Sequence, residues 1–210
     1  MSARQDFLPL GYSDLAPGMI ATVVTNLEMF EKPTVDLVAF PEGVTLEALV
    51  SPTPAYFREL YRKVGTEWLW SSRILMPDDE LAAILHKESV DIYAVRYGTE
   101  DIGLLELDFS VPDECELGYF GLVGNSTGKG LGKALMSHAS ELAWSRPIKR
   151  FWVHTCTFDS PAALRFYIRS GFVPYSYQVE VQRDPRLLGI LPMDVASHVP
   201  VIVPVEQQGS

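Results

Sequence analysis

Residues 116–132 read ELGYFGLVGNSTGKGLG, and the glycines at alternate positions, Gly128, Gly130 and Gly132, are the residues best placed to do chemistry. Glycine lets backbone N–H groups come close to an anion and takes φ values that side chains resist. A helical pattern opens directly behind them, and a helix start adds unpaired donors and the positive end of the dipole. Lys129 and Lys133 flank the turn, either neutralising an anion or simply solvated. A diphosphate is the natural guest. Two other phosphate signatures fail on spacing. The run from Gly124 to Lys129 is one residue short of G-x-x-x-x-G-K-S/T, and Gly132 comes one position too early for G-x-G-x-x-G.

The elements that must hold this turn can be read on either side of it. Residues 117–123 are apolar or small and form a buried strand running into the turn. Behind it Leu131, Ala134, Leu135, His138 and Leu142 recur at helical spacing, up to a stop near Pro147. Residues 151–155 read as a short buried strand which, reached through a helix, runs parallel to the central one. Ser160 and Pro161 then read as N-cap and first residue of another helix, closed by Gly171, and residues 175–181 as a further strand. Upstream, residues 19–29 are a β-branched strand, residues 31–52 a connector with a short strand at 36–40, and Pro54 opens a helix after Thr53 that Gly65 stops. Asp78, Asp79 and Glu80 begin a second helix. Trp68 and Trp70, between these two, are either core or part of a binding wall. Strands at 90–97 and 102–109 precede the central strand through tight turns, as antiparallel neighbours.

The chain has 210 residues, enough for one well-filled domain. We expect an N-terminal extension over residues 1–18, one domain over 19–183 and a proline-rich tail over 184–210. The net charge of -10 disfavours nucleic acid and suits a cationic partner. Two cysteines, Cys115 and Cys156, make no disulfide framework and have no metal-ligand spacing, and the scattered histidines add none, so no metal is expected. With no signal-like start and no apolar run near the ~18 residues of a membrane span, a cytoplasmic protein without membrane association is expected.

The turn resembles the acetyl-CoA pyrophosphate loop of the GNAT superfamily of N-acetyltransferases, Q/R-x-x-G-x-G/A between a central strand and a helix. Thr127, Gly128, Lys129, Gly130, Leu131 and Gly132 fill that pattern, with Thr127 in place of Gln or Arg. A second segment, SPAALRFYIRSGF over residues 160–172, resembles the family's N-x-x-A-x-x-x-Y-x-x-x-G-F, with Ala163, Tyr167, Gly171 and Phe172 matching and Ser160 replacing Asn. The resemblance implies an α/β fold with a mixed sheet, β-α-α-β-β-β-α-β-α-β, whose central parallel strands splay apart, and it implies acetyl-CoA as cosubstrate.

What the resemblance implies for chemistry can be weighed residue by residue. An alkyl amine with pKa near ~10.4 is almost wholly protonated at neutral pH, so a base or relay is needed. Glu116 lies eleven residues before Thr127, the family's offset for a glutamate base. It is our candidate, against the alternative of a solvated turn residue, and Glu106 and Asp108 are rivals on the preceding strand. A family-type bulge at Phe120, Gly121 and Leu122 would free N–H groups for the thioester oxygen and the pantetheine amides. Tyr167 would return a proton to the leaving thiolate. His154 and Cys156 read as core or pocket wall. The resulting expectation is acetyl transfer from acetyl-CoA directly to a primary amine of a cationic small molecule or peptide. The replacements at Thr127 and Ser160 leave open a catalytically silent acyl-CoA sensor or interaction module on the same fold, and a phosphate-ester binder without CoA is a third reading. Edge strands and the apolar stretch VPVIVPV are compatible with a homodimer.

Overall fold

The computed structural model describes residues 7–34, 37–124 and 130–204. Strand β1 (Met19–Met29) is followed by a short strand β2 (Val44–Ala48), helix α1 (Pro54–Gly65), a 3-10 turn (Thr66–Trp68), and helices α2 (Ser72–Leu75) and α3 (Asp78–Leu85). Strands β3 (Val90–Tyr97), β4 (Glu100–Asp108) and β5 (Glu114–Leu122) come next, then α4 (Leu131–Trp144), β6 (Arg150–Cys156), α5 (Ala163–Arg169) and β7 (Val173–Arg183). The strands form one sheet in the order β2-β3-β4-β5-β6-β1-β7. Among the described residues only β5 and β6 pair in parallel, and the other neighbouring pairs are antiparallel.

Local chemistry explains most boundaries. Thr53 caps α1 by accepting from Tyr56 N at 3.3 Å, Pro54 occupies its first turn, and Arg62 and Lys63 sit in its last. Three acidic residues open α3. Strand β5 begins at Glu114, three residues before the expected 117, and α2 is a short helix where only a connection is expected; two further departures have a local cause. The strand expected at 36–40 is instead β2, which pairs with β3 from Val44↔Tyr97 to Ala48↔Tyr93; Asp36 lies outside the described residues. Helix α5 begins at Ala163 rather than at Pro161, because Ser160 spends its groups on a turn: its carbonyl accepts from Ala163 N at 2.8 Å and its hydroxyl from Ala162 N at 3.4 Å.

The sheet has a core on each face. Under α4 and α5 lies an apolar cluster that includes Leu105, Leu107, Leu117, Leu135, Phe151 and Phe172. Under α1 and α3, Phe57, Leu60, Tyr61 and Leu81 pack on Ile92, Ala94 and Leu104. A third cluster joins Leu69 and Phe158 to Leu191, Val195 and Ala196 of the segment beyond β7. Residues 184–199 therefore pack against the domain despite their prolines. Arg186, 2% exposed, ion-pairs Asp184 at 2.8 Å and donates to the carbonyls of Val195, Ala196 and Val199 at 3.2, 3.3 and 2.8 Å. No helix among the described residues is long and apolar enough to cross a membrane.

Candidate functional site

Strands β5 and β6 pair at Glu114↔Arg150, Cys115↔Phe151 and Glu116↔Trp152 and then part. On its other edge β5 stays with β4 as far as Gly103↔Leu122. The register there slips between Leu107↔Leu117 and Glu106↔Tyr119, so Gly118 is the extra residue of a bulge. The expected bulge at Phe120, Gly121 and Leu122 thus falls two residues earlier. A Cβ at Gly118 would stand 3.1 Å from Glu106 Oε1, so a side chain there would crowd a buried carboxylate. Past Glu116, the β6-side edge of β5 has no ladder partner and faces a cleft of about 750 Å³.

The cleft runs from the α1–α2 connection to the start of α4. Trp68, Trp70, Ser72 and Tyr119 wall one end. Both tryptophans, read from sequence as either core or wall, are half-buried wall residues. Phe120, Gly121 and Leu122 form the β5 side, and Gly121 is glycine because a Cβ would come within 2.4 Å of Val64 Cγ1 on α1. Ser160, Ala163 and Tyr167 form the opposite side, and Gly132 in the first turn of α4 lies at the far end. Gly130 caps α4 with φ 76°, the left-handed conformation glycine takes most readily. Leu131 is 3% exposed and points into the core, so only its backbone could serve a ligand, and Lys133 is exposed and does not line the cleft. Thr127, Gly128 and Lys129 lie outside the described residues.

Tyr167 is 7% exposed, with ring centroids of Phe166, Phe172 and Phe120 at 5.7, 6.0 and 6.2 Å. Burial, aided by Asp159, holds its phenol well above the ordinary value, so it keeps its proton at neutral pH and stands as a donor. Cys156 also lines the cleft, and burial raises its thiol, making it a poor nucleophile.

Three carboxylates stand on the α1–α3 face of the central strands. Glu106 is 2% exposed and its Oε1 accepts from Arg73 at 2.7 Å. Burial raises its pKa against the opposing pull of Arg73. Asp108 caps the following turn, accepting from Ser110 N at 2.7 Å. Glu116 is not part of the cleft wall; its Oε1 lies 3.5 Å from Nδ1 of His154, which is. Sequence reasoning ranked His154 low and gave Arg73 and Asp159 no role. Asp159 Oδ2 accepts from Thr155 Oγ1 at 2.7 Å and Cys156 N at 2.9 Å, and its Oδ1 lies 3.5 Å from Trp70 Nε1, tying the turn after β6 to the opposite wall. No local pattern announces these partners, because each contact joins separate elements.

A thioester cosubstrate with a diphosphate can be tested against these residues. The unpaired edge of β5 suits the amides of a pantetheine arm, the cleft is long enough to extend from the tryptophans to α4, and the first turn of α4 supplies N–H donors for phosphate. The residues fit the group.

The Acetyltransferase (GNAT) family model matches residues 56–172, more than half of the chain. No curated protein matches it significantly in sequence. Among solved structures, a GCN5-related N-acetyltransferase from Sphaerobacter thermophilus superposes with a TM-score of 0.57 at 12% identity, over 77% of this chain and 51% of its own. Another from Kribbella flavida gives a TM-score of 0.51 at 17% identity, over 82% and 63%. A functionally unknown conserved protein from Staphylococcus epidermidis gives a TM-score of 0.57 at 11% identity, over 80% and 63%. The chain thus spans 51–63% of the length of these structures, and at such identities the likeness is one of fold.

Proposed function

The chain belongs to the GNAT acetyltransferase family, and from that premise we propose that it transfers an acetyl group from acetyl-CoA directly to a primary amine of a cationic small molecule or peptide. The observation that carries this reading is the parting of β5 and β6 after Glu116, which leaves one strand edge unpaired along a cleft that ends on the first turn of α4. A cytosolic setting belongs to the same reading.

When bound, acetyl-CoA supplies an acetyl group activated as a thioester. The chain's residues have three tasks around it. Backbone N–H groups of Phe120, Gly121 and Leu122 pair with the amide-bearing arm and with the carbonyl oxygen as it gains charge. Gly130, Leu131 and Gly132 offer α4's first-turn amides to phosphate, and Ser160 and Ala163 close the opposite side. A base beside the cleft draws the proton from the amine, the role the resemblance gives to Glu116, and Tyr167 keeps its own until a thiolate needs it. The acidic wall residues Asp159 and Glu180 favour a cationic acceptor over an anionic one. Cys156, with its raised thiol, favours direct transfer over an acyl-enzyme.

The test is release of CoA thiol from acetyl-CoA in the presence of a panel of primary amines, paired with calorimetric binding of acetyl-CoA. Thiol release that depends on the amine supports the reading. Binding without release under any amine replaces it with a silent acyl-CoA sensor. Tyr167→Phe is expected to slow turnover by about 10- to 100-fold without abolishing it, because a thiolate leaves tolerably well unaided.

A further inference from the structure

The resemblance gives the deprotonation to Glu116, yet its side chain does not reach the cleft wall, whereas that of His154 does. The parallel register explains the arrangement. Glu116 stands on the last paired rung with Trp152, and His154 lies two residues further along β6, on the same face, where β5 has already bulged away at Gly118. The far edge of β6 is fixed by β1, with Asn26 opposite His154. The imidazole is therefore held between a ladder on one side and a carboxylate on the other. Its Nδ1 faces Glu116 Oε1 at 3.5 Å, and half of the side chain, 49%, is open.

The charged groups that act most strongly on this ring are acidic: Glu116 on β5, Asp159 in the turn after β6 and Glu180 on β7. Glu116 is the largest influence, and together they outweigh partial burial and raise the imidazole pKa above its ordinary 6.5. An imidazole is better matched than a carboxylate to taking a proton from an attacking amine near neutral pH. The other carboxylates are engaged elsewhere: Glu106 is 2% exposed and paired with Arg73, and Asp108 caps its turn.

We propose that His154 is the catalytic residue that accepts the amine proton, through Nε2, and that Glu116 is a positioning residue holding Nδ1. This rests on the acetyl-transfer reading. The ammonium form of the acceptor first loses one proton to solvent. The amine lone pair then forms the N–C bond to the thioester carbonyl carbon, the C–S bond breaks, and its electron pair leaves on sulfur. The surplus proton on nitrogen passes to Nε2, giving an imidazolium beside the Glu116 carboxylate, and from there to solvent through the open side of the ring. The thiolate takes one proton from Tyr167, which regains it from solvent. Amine and acetyl donor are consumed, amide and thiol are formed, and no other reactant is needed.

The experiment compares wild type, His154→Gln and Glu116→Gln in kcat/KM across pH with one alkylamine acceptor, alongside acetyl-CoA affinity by calorimetry and thermal melting to verify folding. For the wild type, log kcat/KM is expected to climb with a slope of about 2 while imidazole and amine must both lose protons, then about 1 above the imidazole pKa. In His154→Gln the slope is about 1 throughout, kcat falls by about 100-fold, and acetyl-CoA affinity stays within about twofold. In Glu116→Gln the break persists but moves to lower pH, and the loss is smaller. An unchanged rate and unchanged break in His154→Gln overturn the proposal, as does a greater loss in Glu116→Gln than in His154→Gln, which makes the carboxylate the direct base. Absence of thiol release from the wild type with every amine overturns the acetyl-transfer reading itself, and is told apart by being independent of either substitution.

Discussion

Leu105 and Leu107 of β4 enter an apolar cluster beneath α4 and α5, whereas Glu106, between them in the chain, lies against Arg73 on the other side of the same sheet. The contrast extends to β5. Phe120 stacks on Phe166 of α5 with centroids 5.7 Å apart. Tyr119, one residue earlier, joins a polar set in which its hydroxyl is 2.9 Å from Ser72 Oγ and the Arg73 guanidinium lies 5.3 Å from its ring centroid. One face of the central strands is held by packing, which many residues of similar size can supply. The other, besides the packing of Phe57, Leu60 and Tyr61 on Leu104, carries buried polar groups that tolerate little exchange. The face that differs in this way lies beside the end of the cleft walled by Trp68, Trp70, Ser72 and Tyr119.

The comparison breaks most visibly at Arg73. Arg73→Ala leaves Glu106 buried without its partner and is expected to cost about 3–5 kcal/mol in a urea melt. Burial already raises the folded pKa of Glu106 above its ordinary value, and loss of the guanidinium raises it further. A carboxyl with a raised folded pKa contributes stability that is fully present below its unfolded pKa and lost as pH rises through the folded one. The defect should therefore be smallest below about pH 4 and grow towards neutrality. The double substitution Arg73→Met with Glu106→Leu should recover most of the stability, because a well-packed apolar pair replaces a desolvated ionic one. A full loss that persists in the double variant would show that shape, rather than the ion pair, sets the cost at this site.

A smaller effect is expected where the faces meet. Gly121→Ala places a Cβ 2.4 Å from Val64 Cγ1, and the overpacking should cost about 1–3 kcal/mol by thermal melting. The smallest concerns the segment beyond β7. Burial alone would raise the Asp184 carboxyl, but the hydrogen bonds from Arg186 outweigh it and the pKa is lowered. The stability this gives is present above the unfolded pKa and lost as pH falls through the lowered folded value. Amide exchange in residues 184–199 should accelerate in acid before the sheet opens, and Asp184→Asn should remove that pH dependence.

Packed elements are easier to read in the sequence than the polar partners between them, and the reason is range. Strand β1 and helix α1 carry their boundaries locally, in a β-branched run and in Thr53, Pro54 and Gly65. Strand β2 was displaced because a half-exposed five-residue edge strand is specified by its partner β3 more than by its own residues. Helix α5 was started two residues early because a Ser-Pro pair serves a turn as well as a cap. Within the site, Tyr167 and the β5 residues are placed on the cleft by an order of elements that short motifs reveal. The approach of His154 to Glu116 depends on a parallel register between strands separated by a helix, and the pairing of Glu106 with Arg73 depends on how α2 settles on β4. Neither leaves a local trace. The prolines beyond residue 184 mark a tail without saying how it is ordered, and only the structure shows Arg186 gathering that segment's carbonyls.

The most direct test of the account is amide hydrogen exchange along β5 with and without acetyl-CoA. The amides of residues 117–122 that face the gap, together with the first turn of α4, should slow markedly on addition of the cosubstrate, while the β3–β4 ladder stays as it was. Unchanged exchange in those residues at saturating acetyl-CoA would contradict the claim that the parting of β5 and β6 is where this protein holds its acetyl donor.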